Sequence, residues 1–197
     1  MKIGCIIMAS GLSSRFGSNK LLAEFNGKSL ISIILDKTTD IVEEYEYERL
    51  VLTRTKEVSE YCTEKGIRSV LHNLPERNDA VKLGIEQIGD CDACIFCTCD
   101  QPLLRKESII SVIDEFLKHG KGIYRLSYNN QAGNPILFTK EYFEELKGLP
   151  SKKGGAYLTA VYPEEVRYVS ASDEWELKDA DTKEDLEKME AYLIKQG

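Results

Sequence analysis

The chain opens with a short apolar run, Lys2-Ile3-Gly4-Cys5-Ile6-Ile7, that empties into Met8-Ala9-Ser10-Gly11-Leu12-Ser13-Ser14-Arg15-Phe16-Gly17-Ser18-Asn19-Lys20. The run has the length and β-branched content of a buried parallel strand, a kind of strand that needs helices on both faces. The segment after it is suited to holding a polyphosphate. Gly11 and Gly17 let the backbone approach a ligand closely, Ser13 and Ser14 offer hydroxyls, and Arg15 and Lys20 carry positive charge. It is not a Walker loop, because Lys20 does not directly follow the last glycine and no helix is expected to open there. It is not the dinucleotide fingerprint either. On its own it reads as another class of phosphate binder, or as a glycine- and serine-rich surface loop with two solvated cations.

The rest of the chain alternates strand-like and helix-like patterns, the mark of an α/β fold with a mostly parallel central sheet. Strands are expected near 2–8, 49–54, 67–71, 93–98, 122–127, 135–138 and 166–170, and helices near 29–39, 56–65, 79–88, 106–118, 140–147 and 183–195. Leu30, Ile33, Ile34 and Ile41, and Ile109, Ile110, Ile113, Phe116 and Leu117, form one-sided stripes that read as packing faces. Residues 148–165 look like a looser active-site loop, with Gly148, Pro150, Gly154, Gly155 and Pro163. No internal repeat or linker is visible, so one domain spanning 1–197 is expected.

Composition excludes several classes of function. A net charge of -7 argues against general nucleic-acid binding, yet residues 1–23 hold Lys2, Arg15 and Lys20 with no Asp or Glu. Such a cationic island on an acidic protein suits a small anionic ligand. No apolar stretch approaches a membrane span and no signal-peptide layout is present, so a cytoplasmic location is expected. Of the 6 cysteines, four crowd into Cys91-Asp-Ala-Cys94-Ile-Phe-Cys97-Thr-Cys99. Overlapping Cys-x-x-Cys steps raise an iron–sulfur or zinc site. A strand over 93–98, however, would point Cys94 and Cys97 to opposite faces, which favours reduced, buried thiols.

Asp100 closes that strand in Cys97-Thr98-Cys99-Asp100-Gln101-Pro102. A carboxylate there faces the crevice where open α/β sheets bind ligands, and beside a triphosphate it is a natural Mg²⁺ ligand. An Asp opening a Gln-Pro turn is the plainer alternative. Near the end, Asp179-Ala180-Asp181-Thr182-Lys183-Glu184-Asp185-Leu186 reads as a helix start with Asp181 or Thr182 as N-cap.

The first loop resembles the amino-terminal signature of nucleotidyltransferases with the nucleotide-diphospho-sugar transferase (glycosyltransferase-A-like) fold, a three-layer Rossmann-like domain; Ala9, Gly11, Ser13, Arg15, Phe16, Gly17 and Lys20 match in order. Asp100-Gln101-Pro102, the terminal Asp-Thr element and Gly133-Asn134-Pro135-Ile136-Leu137-Phe138 extend the likeness to the molybdenum cofactor nucleotidyltransferases. The resemblance implies transfer of a nucleoside monophosphate to the phosphate of a molybdopterin-type acceptor, with release of pyrophosphate and with Mg²⁺ as cofactor. Arg15, Lys20 and Asp100 are the implied catalytic residues, and Asp100 with Asp181 the metal ligands. The nucleotide is expected to meet Ala9, Ser10, Gly11, Ser13, Ser14, Arg15, Lys20, Asn73, Arg77 and Asp79. Ser10 is nearer the alanine of the CTP-using branch than the glycine of the GTP-using branch, so CTP is favoured over GTP. Arg77-Asn78-Asp79-Ala80-Val81-Lys82-Leu83-Gly84 also resembles a segment of isoprenoid-pathway cytidylyltransferases, although Ala80 lacks their hydroxyl.

One departure concerns the acceptor. Where the cytidylyl branch has Gly-Asp-x-Gly-[Ala/Gly]-Arg, this chain reads Ser151-Lys152-Lys153-Gly154-Gly155-Ala156. A sugar phosphate or phosphocholine is therefore an alternative acceptor, and a non-catalytic cofactor carrier or maturation chaperone an alternative role. A molybdenum enzyme receiving the product is a further expected partner. The chemistry expected is direct in-line transfer with no protein nucleophile, so neither His72 nor His119 is assigned one.

Overall fold

The computed structural model describes residues 1–11, 16, 19–39, 41 and 45–196. Ser13, Ser14, Arg15 and Gly17 lie outside the described residues, so the placement of these expected site residues is not part of the structure below.

Strands β1 (Lys2–Ala9), β4 (Glu46–Thr53), β5 (Ser69–Leu71), β6 (Ala93–Thr98), β7 (Ile123–Tyr128), β8 (Gln131–Thr139) and β9 (Val166–Ser170) form a sheet in the order β5-β4-β1-β6-β8-β7-β9. The pairs β1–β4, β1–β6, β4–β5 and β7–β9 are parallel, whereas β8 runs antiparallel between β6 and β7. A two-stranded hairpin, β2 (Glu24–Phe25) with β3 (Lys28–Ser29), precedes α1 (Leu30–Thr39). The mostly parallel α/β sheet expected from the alternating pattern is present.

Alternation along β1 builds two cores. Ile3, Cys5, Ile7 and Ala9 face α1, α2 (Lys56–Glu64) and α4 (Lys106–His119) through Ile31, Ile34, Val58, Ile109, Ile113 and Phe116. Ile6 faces the opposite layer, with Val81, Ile85 and Ile88 of α3 (Arg77–Ile88), Leu146 of α5 (Phe143–Lys147) and Leu158 of α6 (Leu158–Val161). Helix α3 lies unusually close to the sheet. A Cβ on Gly4 would come within 2.6 Å of Ile88 Cγ1, and one on Gly84 within 3.0 Å of Ile6 Cδ1 and Leu52 Cδ1. Glycines on both partners let the helix settle, which aims its first turn at the carboxyl ends of the strands. A third cluster of Phe16, Phe25, Leu30, Ala180, Leu186 and Met189 docks α7 (Lys183–Gln196) beside the start of α1.

Several expected boundaries shift. Strand β4 starts earlier than 49, and β8 reaches back through Asn134 and Gly133 to Gln131. The helix expected over 140–147 is a 3-10 turn followed by α5, and the expected loop 148–165 folds into short helical turns at Gly155–Tyr157, Leu158–Val161 and Pro163–Glu165. Leu117 points outward, 37% exposed, and Ile41 lies beyond the end of α1. The expected cationic island is split, because Lys2 sits at the amino end of β1 and pairs with Glu48 at 2.8 Å. Cys94 joins the α3-side core while Cys97 joins the α1-side core, opposite faces as strand alternation requires. That separation keeps the clustered cysteines from converging on one ion.

Candidate active site

From β1 the chain moves outward to β4 and β5, then crosses back through α3 to β6 on the other side of β1. The crevice at that reversal is where doubly wound sheets bind ligands. Met8 pairs with Thr98, so Ser10 and Asp100, each two residues further on, leave neighbouring strand ends.

Lys20 enters this crevice on a 3-10 turn, Lys20–Leu22, that Asn19 caps by accepting from the Leu21 N–H at 3.2 Å. Leu21 anchors the turn in the core, and Lys20 itself is 8% exposed. Its Nζ donates to Asp100 Oδ2 at 3.2 Å and to Asp181 Oδ1 at 3.1 Å. Burial works against the Lys20 ammonium, but the combined pull of Asp100 and Asp181 outweighs it and holds its pKa above the ordinary lysine value. Asp100 Oδ1 is buried and has no hydrogen-bond partner among the described residues.

The acidic pair is held from several directions. The Ala180 N–H donates to the Asp100 carbonyl at 2.7 Å. Gln101, nearly fully buried, donates to the Leu177 carbonyl at 3.3 Å and to Asp179 Oδ1 at 2.9 Å. Lys37 Nζ donates to the Pro102 carbonyl at 2.6 Å; burial pushes its pKa down to about 8 against the opposing charges of Glu176 and Glu107. Glu176 in turn accepts from the N–H groups of Arg105 at 3.0 Å and Ser172 at 2.8 Å and from the Ser108 hydroxyl, securing the start of α4. Thr182, not Asp181, caps α7: its hydroxyl accepts from the Asp185 N–H at 3.2 Å while Asp185 accepts back from the Thr182 N–H at 2.8 Å. Asp181 is thereby left to Lys20.

Asp179 is the site residue that the sequence reasoning passed over. Burial first, then the neighbouring Asp100 charge, pushes its carboxyl up to about 6 despite the Gln101 hydrogen bond. The residue as a whole is solvent-exposed, so solvent screens part of that push.

On the other flank, Ser10 Oγ lies 3.0 Å from the Leu52 carbonyl and 2.7 Å from His72 Nε2. Asn73 and Arg77 are exposed and Asp79 is half-buried, accepting from Asn78 Nδ2 at 3.0 Å. These three lie between the end of β5 and the first turn of α3, joined to β1 through the His72–Ser10 contact. The same first turn grips the segment expected to face the acceptor. Glu76 Oε2 accepts from Ser151 Oγ at 2.7 Å and from the Lys152 N–H at 3.2 Å, and Asn78 Oδ1 accepts from that N–H at 3.0 Å. A Cβ on Gly154 would stand 2.7 Å from Arg77 Cδ.

Asp100 and Asp181 fit a hard divalent cation. Both offer carboxylate oxygens, Asp100 Oδ1 has no other partner among the described residues, and the pair already shares a cationic group. Among the described residues no group of three or more His, Cys, Asp and Glu side chains is arranged to hold an ion. Substrate phosphates and water would complete such a shell, as Mg²⁺ prefers. No described helix is long and apolar enough to cross a membrane.

Residues 5–167 match the family model described as the MobA-like NTP transferase domain. A protein of Bacillus licheniformis named probable molybdenum cofactor guanylyltransferase is 25% identical over 203 residues, covering 95% of this chain and 96% of that protein. One of the same name from Thermococcus gammatolerans is 31% identical over 117 residues, 58% of this chain and 57% of the relative. A nucleotidyl transferase structure from Methanothermobacter thermautotrophicus superposes with a TM-score of 0.78 at 19% identity, covering 100% of this chain and 99% of the other. The fold is that of the nucleotide-sugar transferases, as the first loop implied.

Proposed function

Since the chain belongs to the MobA-like NTP transferase family, we propose that it moves a nucleoside monophosphate from a triphosphate onto the phosphate of a molybdopterin-type acceptor, releasing pyrophosphate. The observation that carries this reading is the Lys20 ammonium shared by Asp100 and Asp181 at the sheet's point of reversal. An acceptor phosphate oxygen attacks the α-phosphorus in line, forming a P–O bond as the bond to the β-phosphate breaks. Lys20 and, from the loop, Arg15 offset charge on the α-phosphate and the departing pyrophosphate. The loop from Ala9 and Gly11 through Ser13 and Ser14 lines the triphosphate, and Asn73, Arg77 and Asp79 flank the nucleoside. Mg²⁺ held by Asp100 and Asp181 would supply Lewis-acid charge neutralisation at the phosphates.

The molybdopterin-type acceptor rests on the names of the relatives. For the base, Ser10 supports CTP, whereas the relatives' guanylyl names support GTP as the second reading. A pyrophosphate-release assay with CTP, GTP, ATP and UTP, with and without Mg²⁺ and molybdopterin, tests the whole proposal. Release requiring one nucleotide, Mg²⁺ and molybdopterin is the expected result. Release with a sugar phosphate or phosphocholine instead would reassign the acceptor. Molybdopterin binding without turnover of any nucleotide would make the protein a carrier.

A further inference from the structure

We infer that His72 is a positioning residue for the nucleotide, holding the Ser10 hydroxyl and with it the point where the phosphate-binding loop leaves β1. The inference rests on the nucleotidyltransferase reading above. Its ground is a chain of hydrogen bonds whose polarity is set at both ends by backbone groups. The Leu74 N–H, which can only donate, points to His72 Nδ1 at 3.2 Å. Nδ1 therefore carries the lone pair, and a neutral ring holds its proton on Nε2. That proton meets Ser10 Oγ at 2.7 Å. The Ser10 hydroxyl proton then goes to the Leu52 carbonyl, 3.0 Å away, which can only accept. Burial, with Arg54 adding to it, keeps the His72 pKa below its ordinary value, consistent with a neutral ring.

Three strand ends meet in this chain. Ser10 follows β1, Leu52 belongs to β4, and His72 follows β5, its own N–H donating to the Thr53 carbonyl at 2.9 Å. Ser10 is the residue at which the chain leaves β1, so the contact ties that exit to the ends of β4 and β5. Alternatively, His72 could serve only the local turn that Leu74 closes.

Asparagine separates the two roles. Its side-chain oxygen accepts from the N–H two residues on, keeping the turn, but its amide is too short to reach Ser10. The experiment is a double-mutant cycle of His72→Asn and Ser10→Ala, reading CTP and GTP dissociation constants by calorimetry and the split between KM and kcat. Each single variant is expected to weaken binding roughly three- to tenfold, the span of one lost hydrogen bond. KM should move more than kcat, and the double variant should bind no worse than the weaker single one. Losses that add, or wild-type binding by His72→Asn, would overturn the inference while leaving the transferase reading intact. A wild-type protein that binds no nucleotide would overturn both. Should the variants fail to fold, ¹⁵N spectra of the wild type decide. With only two histidines in the chain, the His72 ring should show the Nε2–H tautomer at neutral pH and a shifted Nε2 signal on nucleotide addition. An Nδ1–H ring, or no response to saturating nucleotide, would exclude the positioning role.

Discussion

Lys20 and Asp181 lie 161 positions apart in the chain, and their side chains meet at 3.1 Å. The contact joins the loop after the first strand to the start of the last helix, and Asp100 completes it from the middle of the sequence. The cluster of Lys20, Asp100 and Asp181 therefore exists only when both ends of the chain have docked on the central sheet.

Lys20→Met removes the cation and leaves two facing carboxylates. Turnover is expected to fall by at least roughly a hundredfold, the scale of losing one preorganised group that stabilises transition-state charge. Without Lys20 the carboxylates repel, so added Mg²⁺ should raise the melting temperature of the variant more than that of the wild type. Scanning calorimetry with and without Mg²⁺ checks this; equal shifts would place the metal elsewhere.

Thr182→Ala deletes the cap of α7 and one of the two bonds that Asp185 accepts from residue 182, leaving the backbone one. The cost should be about 1 kcal/mol, read as a lowered midpoint in chemical denaturation. Asp181→Ala, which leaves the cap in place, should reduce nucleotide turnover with a much smaller loss of stability.

Asp179 sets a pH dependence. Its folded pKa, about 6, lies above the unfolded carboxyl value, so the folded state holds the proton more tightly across that interval. Stability from this group is full below the unfolded pKa and is lost as pH rises through about 6. Asp179→Asn should therefore stabilise the protein above that pH, by no more than about 1 kcal/mol after solvent screening, and leave it unchanged below the unfolded pKa. Thermal melts across the acid range check the sign.

Gly4→Ala tests the close seating of α3. The added methyl meets Ile88 Cγ1 at 2.6 Å, Cys91 Sγ at 3.2 Å and Cys94 Sγ at 3.5 Å. Overpacking of this kind costs about 1–3 kcal/mol, measurable in a denaturant titration.

Much of the centre was legible because its parts are local. An apolar run followed by Gly11, and a second run closed by Asp100, mark two strand ends from composition alone. Asp181 and Thr182 could both have capped α7, and only geometry divides the labour between them. Lys2 was grouped with Lys20 by proximity in sequence, but an extended strand carries the two to opposite ends of the sheet. The amino half of β8 was obscured by Gly133, Asn134 and Pro135, residues that weaken strand propensity and that the β7 ladder skips, its register shifting between Arg125, paired with Ile136, and Ser127, paired with Ala132. The His72–Ser10 contact has no periodic signature, since its partners are 62 residues apart and meet only through sheet order.

The bonds from Glu76 and Asn78 to Ser151 and Lys152 bear on how such proteins diversify. A segment held by the first turn of a neighbouring helix is not a freely exchangeable cassette. Transplanting 151–157 from a relative to alter acceptor choice would bring a loop whose anchors expect different hosts, so a working chimera must carry residues 76–78 along with it. In this chain the two distant stretches are one unit, so rewriting either one removes the bonds that seat the other.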